Sequence, residues 1–356
     1  MTGVLTRYVM TRLLLAMALV SVLLVGLYTL IELIREARAL TGDYGAVQML
    51  WYLLQTLPRR VYDIFPFAAL IGTLMGLGGL AANNELVAMR SAGFDRGQLT
   101  TRALASVGLC LVVLIAVSEL AVPGLEAGAR ADRQQARTGQ AQLSGSGALW
   151  LRDGDAILRI SHAAWVDGDR LEFGDLTVYT LDARMQPRAI TRAGRGRHTG
   201  ESWLLSEVSA RRLDGEPVLD RPDPLRIESG LSPELLGASV ERPRILGMRD
   251  LVGMKRFLRA NELDAEAYEQ AFWGRLAFPF NVLAMVLISL PLIFLNPVQR
   301  GRGINLFAGV AVGLGFFVTT RLVQGVAQLA PVPLWLTSFL PALLIGLLAV
   351  FLMRRA

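Results

Sequence analysis

This sequence predicts an α-helical membrane protein of six transmembrane helices, three on either side of an inserted all-β, jelly-roll-like domain. Two observations carry that reading. Of the 356 residues 53% are hydrophobic, and they are bunched into long uncharged runs instead of being spread with helical or strand periodicity. Between the third and fourth runs the composition changes to short alternating stretches separated by Gly, Asp and Pro.

The first run extends from Leu13 to Ile31, the second from Ile64 to Asn84, and the third from Ala103 to Ser118, continuing past Glu119 to Leu125. The other three are Leu276 to Gln299, Gly303 to Thr320 and Pro333 to Met353. Each is close to the roughly 20 residues that a helix needs to cross the hydrocarbon core. The first run follows Arg7 and Arg12, and Ala37-Arg38-Ala39 has the small residues of a signal-peptide cleavage site. It is read as a span, because its length exceeds the usual 7 to 15 or so apolar residues and Glu32, Arg35 and Glu36 precede the site. The chain then divides into spans 1 to 3 (1–125, with a short cytoplasmic helix at about 83–93), a β-rich domain with return helices (126–272), and spans 4 to 6 (273–356).

Short-loop arginines set the orientation. With both termini cytoplasmic, Arg7, Arg12, Arg90, Arg96, Arg102, Arg300, Arg302, Arg354 and Arg355 lie inside, against Arg35, Arg38, Arg59, Arg60 and Arg321 outside. The net charge of +6 follows from that distribution and implies no nucleic-acid partner. The single cysteine, Cys110, falls in the third span, so the external domain is expected to hold together by a core and not by disulfides.

Within that domain, "LWLRDGDAILRI" (Leu149 to Ile160) reads as a hairpin turning at Asp153-Gly154. "FGDLTVYTLD" and "SWLLSEVSARRL" continue the pattern, with Val178, Tyr179, Trp203 and Val208 as strand formers. Strands at that spacing predict an antiparallel sandwich or jelly roll. From Gly247 the period becomes helical: Leu251, Met254, Phe257 and Leu258 share a face, and Asp264 is placed to cap a helix running through Trp273 into the fourth span.

Several chemistries are excluded. A P-loop needs Gly-Lys-Ser/Thr so that the lysine reaches the nucleotide phosphates, and the one lysine, Lys255, follows Met254. His162 and His198 have no ligand-like neighbours, and Ser161 beside His162 is adjacency without triad geometry. No enzyme active site, metal site or cofactor is expected in this chain.

The segment "NNELVAMRSAGFDRGQL" (Asn83 to Leu99) lies between two spans yet is charged. Asn83 or Asn84 suits an N-cap, Glu85 suits the positive end of a helix, and Gly93 suits its left-handed exit. Asp95 with Gln98 resembles a capping box that opens the third span. A helix of about nine residues does not persist alone in water, so it must dock. Leu86, Met89 and Arg90 share one face at i, i+3 and i+4, a surface suited to a groove in another protein; a loop resting on lipid is the alternative. Gly72 with Gly76, and Gly309 with Gly313, have the spacing that lets membrane helices approach closely.

"PFAALIGTLMGLGGLAANNELVAMRSAGF" (Pro66 to Phe94) resembles the LptF/LptG permease family of the lipopolysaccharide exporter, and within it the LptG branch. "LWLRDG" (Leu149 to Gly154) resembles the opening of that branch's external domain, and "FWGRLAFP" (Phe272 to Pro279) the family's lead-in to its fourth span. The resemblance implies an inner-membrane permease that pairs with an LptF-type permease and passes lipopolysaccharide to periplasmic jelly-roll domains. It also implies two copies of a cytoplasmic LptB-type ATPase, which bind the ATP and Mg, and an LptC-type membrane-anchored periplasmic protein. The "ELVxM" segment becomes the coupling helix, with Glu85 in the ATPase groove and Leu86, Met89 and Arg90 beside it. Lipid would enter a cavity lined by the first and fifth spans, where Arg35 and Arg38 approach its phosphates. Glu32 departs from the basic character of related sequences there, and arginines that merely snorkel to the interface are the alternative. A permease of another lipid or lipoprotein system is a second reading, although such chains place the insert after the first span; a membrane-anchored scaffold is a third.

From the missing P-loop, the chain purified free of other proteins is expected to release no phosphate from ATP at any nucleotide concentration. Turnover above that of a mock purification would overturn the assignment of the ATPase to another subunit.

Overall fold

The computed structural model describes residues 2–38, 44–93, 95–138, 149–153, 155–166, 170–182, 186–199, 202–213, 224–228, 243–261, 263–295, 302–327 and 332–355. They form two compact units: Met1–Ala39, Leu53–Val122 and Gln270–Ala356 make the first, Leu40–Tyr52 and Pro123–Glu269 the second.

In the first unit, α1 (Thr2–Ala37), α3 (Leu57–Ala82), α5 (Arg96–Leu120), α8 (Glu266–Leu295) and α10 (Leu334–Arg355) are the helices long and apolar enough to cross a bilayer among the described residues. The sixth predicted span falls on α9 (Arg302–Ala327), which is apolar over Gly309–Gly325. These helices turn apolar side chains outward, Leu19, Leu23, Leu314 and Leu347 among them, as a helix bathed in lipid does. A helix that the sequence does not predict, α2 (Ala46–Gln55), precedes α3, and the short helix expected at about 83–93 is α4 (Glu85–Ser91), which joins α3 to α5.

The core sits on α3. Ala69, Leu70, Leu74 and Leu77 are fully enclosed because glycines bring neighbouring helices close on two sides. A Cβ at Gly72 would stand 2.6 Å from Met17 Cα of α1, and one at Gly76 3.2 Å from Leu13 Cδ2. On the other side, Gly309 abuts Leu74 and Gly313 abuts Phe67, so α9 packs on α3 in the same manner. Both small-residue pairs therefore serve helix packing.

Most of the helices extend beyond the predicted apolar runs, and two of the displaced boundaries bear on the fold. The third span ends at Leu120, not Leu125, and Val122–Thr138 is a helix, α6, where the β-rich domain was expected to begin at Glu126. Pro123 in its first turn and a run of Ala, Arg, Gln and Glu explain why this stretch is helical. Likewise α3 starts at Leu57, seven residues before the predicted Ile64, with Pro58 in its first turn. Arg60 therefore lies inside the helix. It is buried, donating to Thr56 Oγ1 (2.7 Å), Leu53 O (3.1 Å) and Thr29 Oγ1 of α1 (3.3 Å).

In the second unit, β1 (Leu149–Asp153), β2 (Ala156–Val166), β3 (Arg170–Leu181), β4 (Pro187–Thr199), β5 (Ser202–Arg212) and β6 (Leu225–Glu228) form one antiparallel sheet in sequential order. Asp153 pairs Ala156, so the first hairpin is formed as expected, while Gly154 of its predicted turn lies outside the described residues. Pairing skips one row: Asp175 on β3, Gly194 on β4 and Glu207 on β5 have no ladder partner, and Asp175 and Glu207 take φ of 51° and 60°. Left-handed backbone at two non-glycine residues interrupts the ladder and creases the sheet there. Antiparallel β structure is thus as expected, and the described strands form one sheet. After α7 (Met248–Ala260), which buries Leu251, Met254, Phe257 and Leu258, Asp264 Oδ1 accepts the Glu266 backbone N–H at 2.8 Å and α8 runs unbroken through Trp273.

The close approach at Gly72 makes a direct prediction. Gly72→Ala should lower stability in detergent by about 1 to 3 kcal/mol through overpacking against the α1 backbone. Gly79→Ala, whose Cβ would meet nothing within 4 Å, should not. Equal melting of Gly72→Ala and the parent would show that α1 and α3 are not in contact there.

Candidate functional site

The α4 segment is short because both its ends bend. Asn84 precedes it with φ 57°, ψ 11°, and Gly93 follows it with φ 85°, its N–H donating to Arg90 O at 2.9 Å. The glycine exit is as expected. The cap is not: Asn84 stands at the N-cap in the left-handed conformation and makes no side-chain cap bond. Asn83 instead donates from Nδ2 to Glu85 Oε1 at 3.1 Å.

Glu85 is further held from α1. Tyr8 donates its hydroxyl proton to Glu85 Oε2 at 2.8 Å, and the same hydroxyl oxygen accepts from Arg12 Nη2 (3.0 Å) and Nε (3.2 Å). The Arg12 guanidinium also lies 5.2 Å from the centre of the Tyr8 ring. The Tyr8 hydrogen bond, then that of Asn83, hold the Glu85 carboxyl below the usual carboxylate range, with the Arg12 charge acting in the same direction. Donor, relay and acceptor polarise one another along this chain.

The remaining predicted coupling residues divide. Leu86 and Met89 are buried in the chain's own core, in the cluster that includes Leu80, Leu99 and Ala103. Their burial corrects the expectation that they present an apolar face to another protein. A helix of seven residues needs a support, and its own spans provide it. What α4 leaves outward is Val87, Ala88, Arg90 and Ser91, with the Arg90 guanidinium 5.2 Å from the centre of the Phe294 ring of α8.

At the far end of α1, Arg35 and Arg38 are both exposed. Arg35 Nη1 lies 3.4 Å from Glu32 Oε2, a solvated i, i+3 pair that leaves most of its donors open. No carboxylate pairs with Arg38 among the described residues. Arg321 of α9 is exposed beside Phe317, 5.1 Å from its ring centre. Among the described residues no cluster of His, Cys, Asp and Glu could hold a metal ion.

Sequence reasoning missed Tyr8, because its bond to Glu85 joins residues 77 apart and nothing local announces it. It also missed the ion pair of Arg275 (α8) with Glu119 (α5). A signal existed there, since each is an ionisable residue at the edge of a membrane-grade run, where such residues pair.

Residues 7–355 match the family described as lipopolysaccharide export system permease LptF/LptG. The chain belongs to the LptF/LptG permease family. It is similar to the lipopolysaccharide export system permease protein LptG of Haemophilus influenzae, 27% identical over 359 residues that cover 100% of this chain and 99% of the relative. The LptG of Escherichia coli strain K12 is likewise 27% identical, covering 99% of this chain and 98% of its own length. In this LptF/LptG permease, a multi-pass membrane protein, the segment from Pro66 to Phe94 that carried the resemblance holds α4 and its tie to α1.

Proposed function

We propose that this chain is a permease subunit of an ATP-driven lipopolysaccharide exporter, extracting the lipid from the outer leaflet of the inner membrane and passing it to a periplasmic bridge. One observation carries the reading most directly: α4, a short charged helix bent at both ends between two spans, in a chain whose full length is similar to LptG proteins and which has no P-loop lysine. The chain pairs with an LptF-type permease, two LptB-type ATPase subunits that bind ATP and Mg, and an LptC-type periplasmic protein. It crosses the membrane six times, with both termini cytoplasmic and the creased sheet forming part of a periplasmic jelly roll.

On this reading α4 seats in a groove of the ATPase through Glu85, Val87 and Arg90, while Leu86 and Met89 anchor it to the permease core. Closure of the ATPase pair moves α4, and the motion alters the cavity between the permeases. The exposed apolar side chains of α1, such as Leu23, Leu27 and Leu30, suit the acyl chains. Arg35 and Arg38 suit the phosphates, since guanidinium groups bind phosphate oxygens with charge-assisted, often paired hydrogen bonds.

Glu85→Lys is expected to abolish export while leaving the chain folded in the membrane, because it reverses the charge offered to the ATPase. Normal co-purification of the ATPase together with normal export in that variant would end the coupling assignment.

At the outer end, one arginine contributes little alone, since exposed contacts are screened by salt. The double variant Arg35→Glu, Arg38→Glu places two new anions beside Glu32 and should reduce export by about tenfold or more. A photocrosslinker at position 35 or 38 should capture lipopolysaccharide in the resting complex and lose it on ATP addition. Normal export by the double variant and no lipid adduct would leave these arginines as interfacial anchors.

A further inference from the structure

We propose that the chain Arg12–Tyr8–Glu85 is a transmission link, in which Tyr8 is the positioning residue that ties the coupling helix to α1 so that motion of α4 is delivered to the far end of that helix. The inference rests on the functional reading above, because it needs a partner that moves α4.

Three features make the arrangement a link and not a surface contact. The first is the hinge on either side of α4. Asn84 (φ 57°) and Gly93 (φ 85°) break the helical path before and after it, so α4 is a separate segment between α3 and α5. Residues of that kind absorb backbone rotation while flanking helices stay intact. Motion of α4 therefore need not pass directly into α3.

The second feature is the bond across the hinge. Tyr8 reaches Glu85 Oε2 at 2.8 Å, and its own oxygen is fixed by two donors of Arg12, one turn further along α1. A tyrosine held from both sides has little freedom to follow Glu85 without taking its helix along. Asn83, on α3's side of the hinge, grips only the other carboxylate oxygen. Glu85 thus belongs to both helices, and rotation at Asn84 shifts the balance between them.

The third feature is the rod to which the link connects. α1 is one helix from Thr2 to Ala37, 36 residues without a proline, whereas α3 carries Pro66, α8 Pro279 and Pro291, and α10 Pro341. Pulling on an unkinked helix translates or tilts it as a unit. From Tyr8 to Arg35 the rod spans about 40 Å at 1.5 Å per residue. The glycine seam against α3 lets α1 pack closely enough, at Gly72 and Gly76, to keep Tyr8 in register with Glu85.

The test uses the full complex with its partner permease and ATPase, reconstituted in proteoliposomes carrying lipopolysaccharide. Tyr8→Phe removes only the hydroxyl. The expected result is retained ATPase co-purification and ATP turnover within about twofold of the parent, with lipid exported per ATP falling about fivefold or more, as when a charge-assisted bond on the coupling path is lost. A purely structural role for Tyr8 would instead lower thermal stability without changing that ratio. Glu85→Gln and the double variant complete a cycle: the double should be no worse than the poorer single, since both changes cut the same link. An unchanged export-to-ATP ratio in Tyr8→Phe overturns the link, as does loss of ATPase co-purification, which would make the bond a docking device alone. If no ATPase co-purifies with the parent and Glu85→Lys exports normally, it is the functional reading that fails. If Glu85→Lys blocks export while Tyr8→Phe keeps the ratio, only the link fails.

Discussion

The contact of α1 with α3 through glycine is the constraint from which the rest of the membrane unit follows. In lipid there is no water to expel between helices, so they associate through close packing, and close packing requires residues without side chains at the crossing. Met17 against Gly72 and Leu13 against Gly76 are steps of four residues in opposite directions along antiparallel helices. Continuing the same steps brings Val9 and Leu80, both buried, and then the turn that holds Tyr8 and Glu85. A slip by one helical turn, about 5.4 Å, would leave Tyr8 with no carboxylate to meet. The seam therefore fixes the register on which the α4 bond depends.

Charges inside this unit are placed where the helices can satisfy them. Arg60 keeps its guanidinium buried by donating to two hydroxyls and a carbonyl, which ties α1 to the lead-in of α3. Arg275 meets Glu119, which ties α5 to α8 and so joins the helices before the inserted unit to those after it. Removing one member of such a pair leaves an uncompensated charge in a low-dielectric setting, which is why these residues bind the unit together despite their cost. The second unit follows different rules. Its sheet buries Leu158, Ile160, Leu176, Val178 and Leu205, and its ladder is interrupted at Asp175, Gly194 and Glu207 and shifts register again between Thr180 and Leu181. A Cβ at Gly194 would meet the Glu207 side chain, which lies over that position.

The sequence by itself determined the class of this protein: the long apolar runs, the strand-rich insert, the glycine spacings, the helix exit at Gly93 and the cap at Asp264 are local patterns, and the structure holds each of them, with some boundaries displaced. It also shows that the chain carries no P-loop motif, because its one lysine, Lys255, follows Met254. Local pattern is insufficient at α6, a helix where the sequence predicts the β-rich domain to begin, and at Leu86 and Met89, whose apolar face suits a partner's groove but is covered by the chain itself. Periodicity shows that a face is apolar, not which surface covers it. Only the tertiary structure decided that the spans cover that face themselves, and that Tyr8 and Arg12 of α1 hold Glu85. Hydrogen bonds between residues 77 apart depend on the register of packed helices, and register arises from the summed fit of many side chains, a quantity that no short stretch of sequence contains.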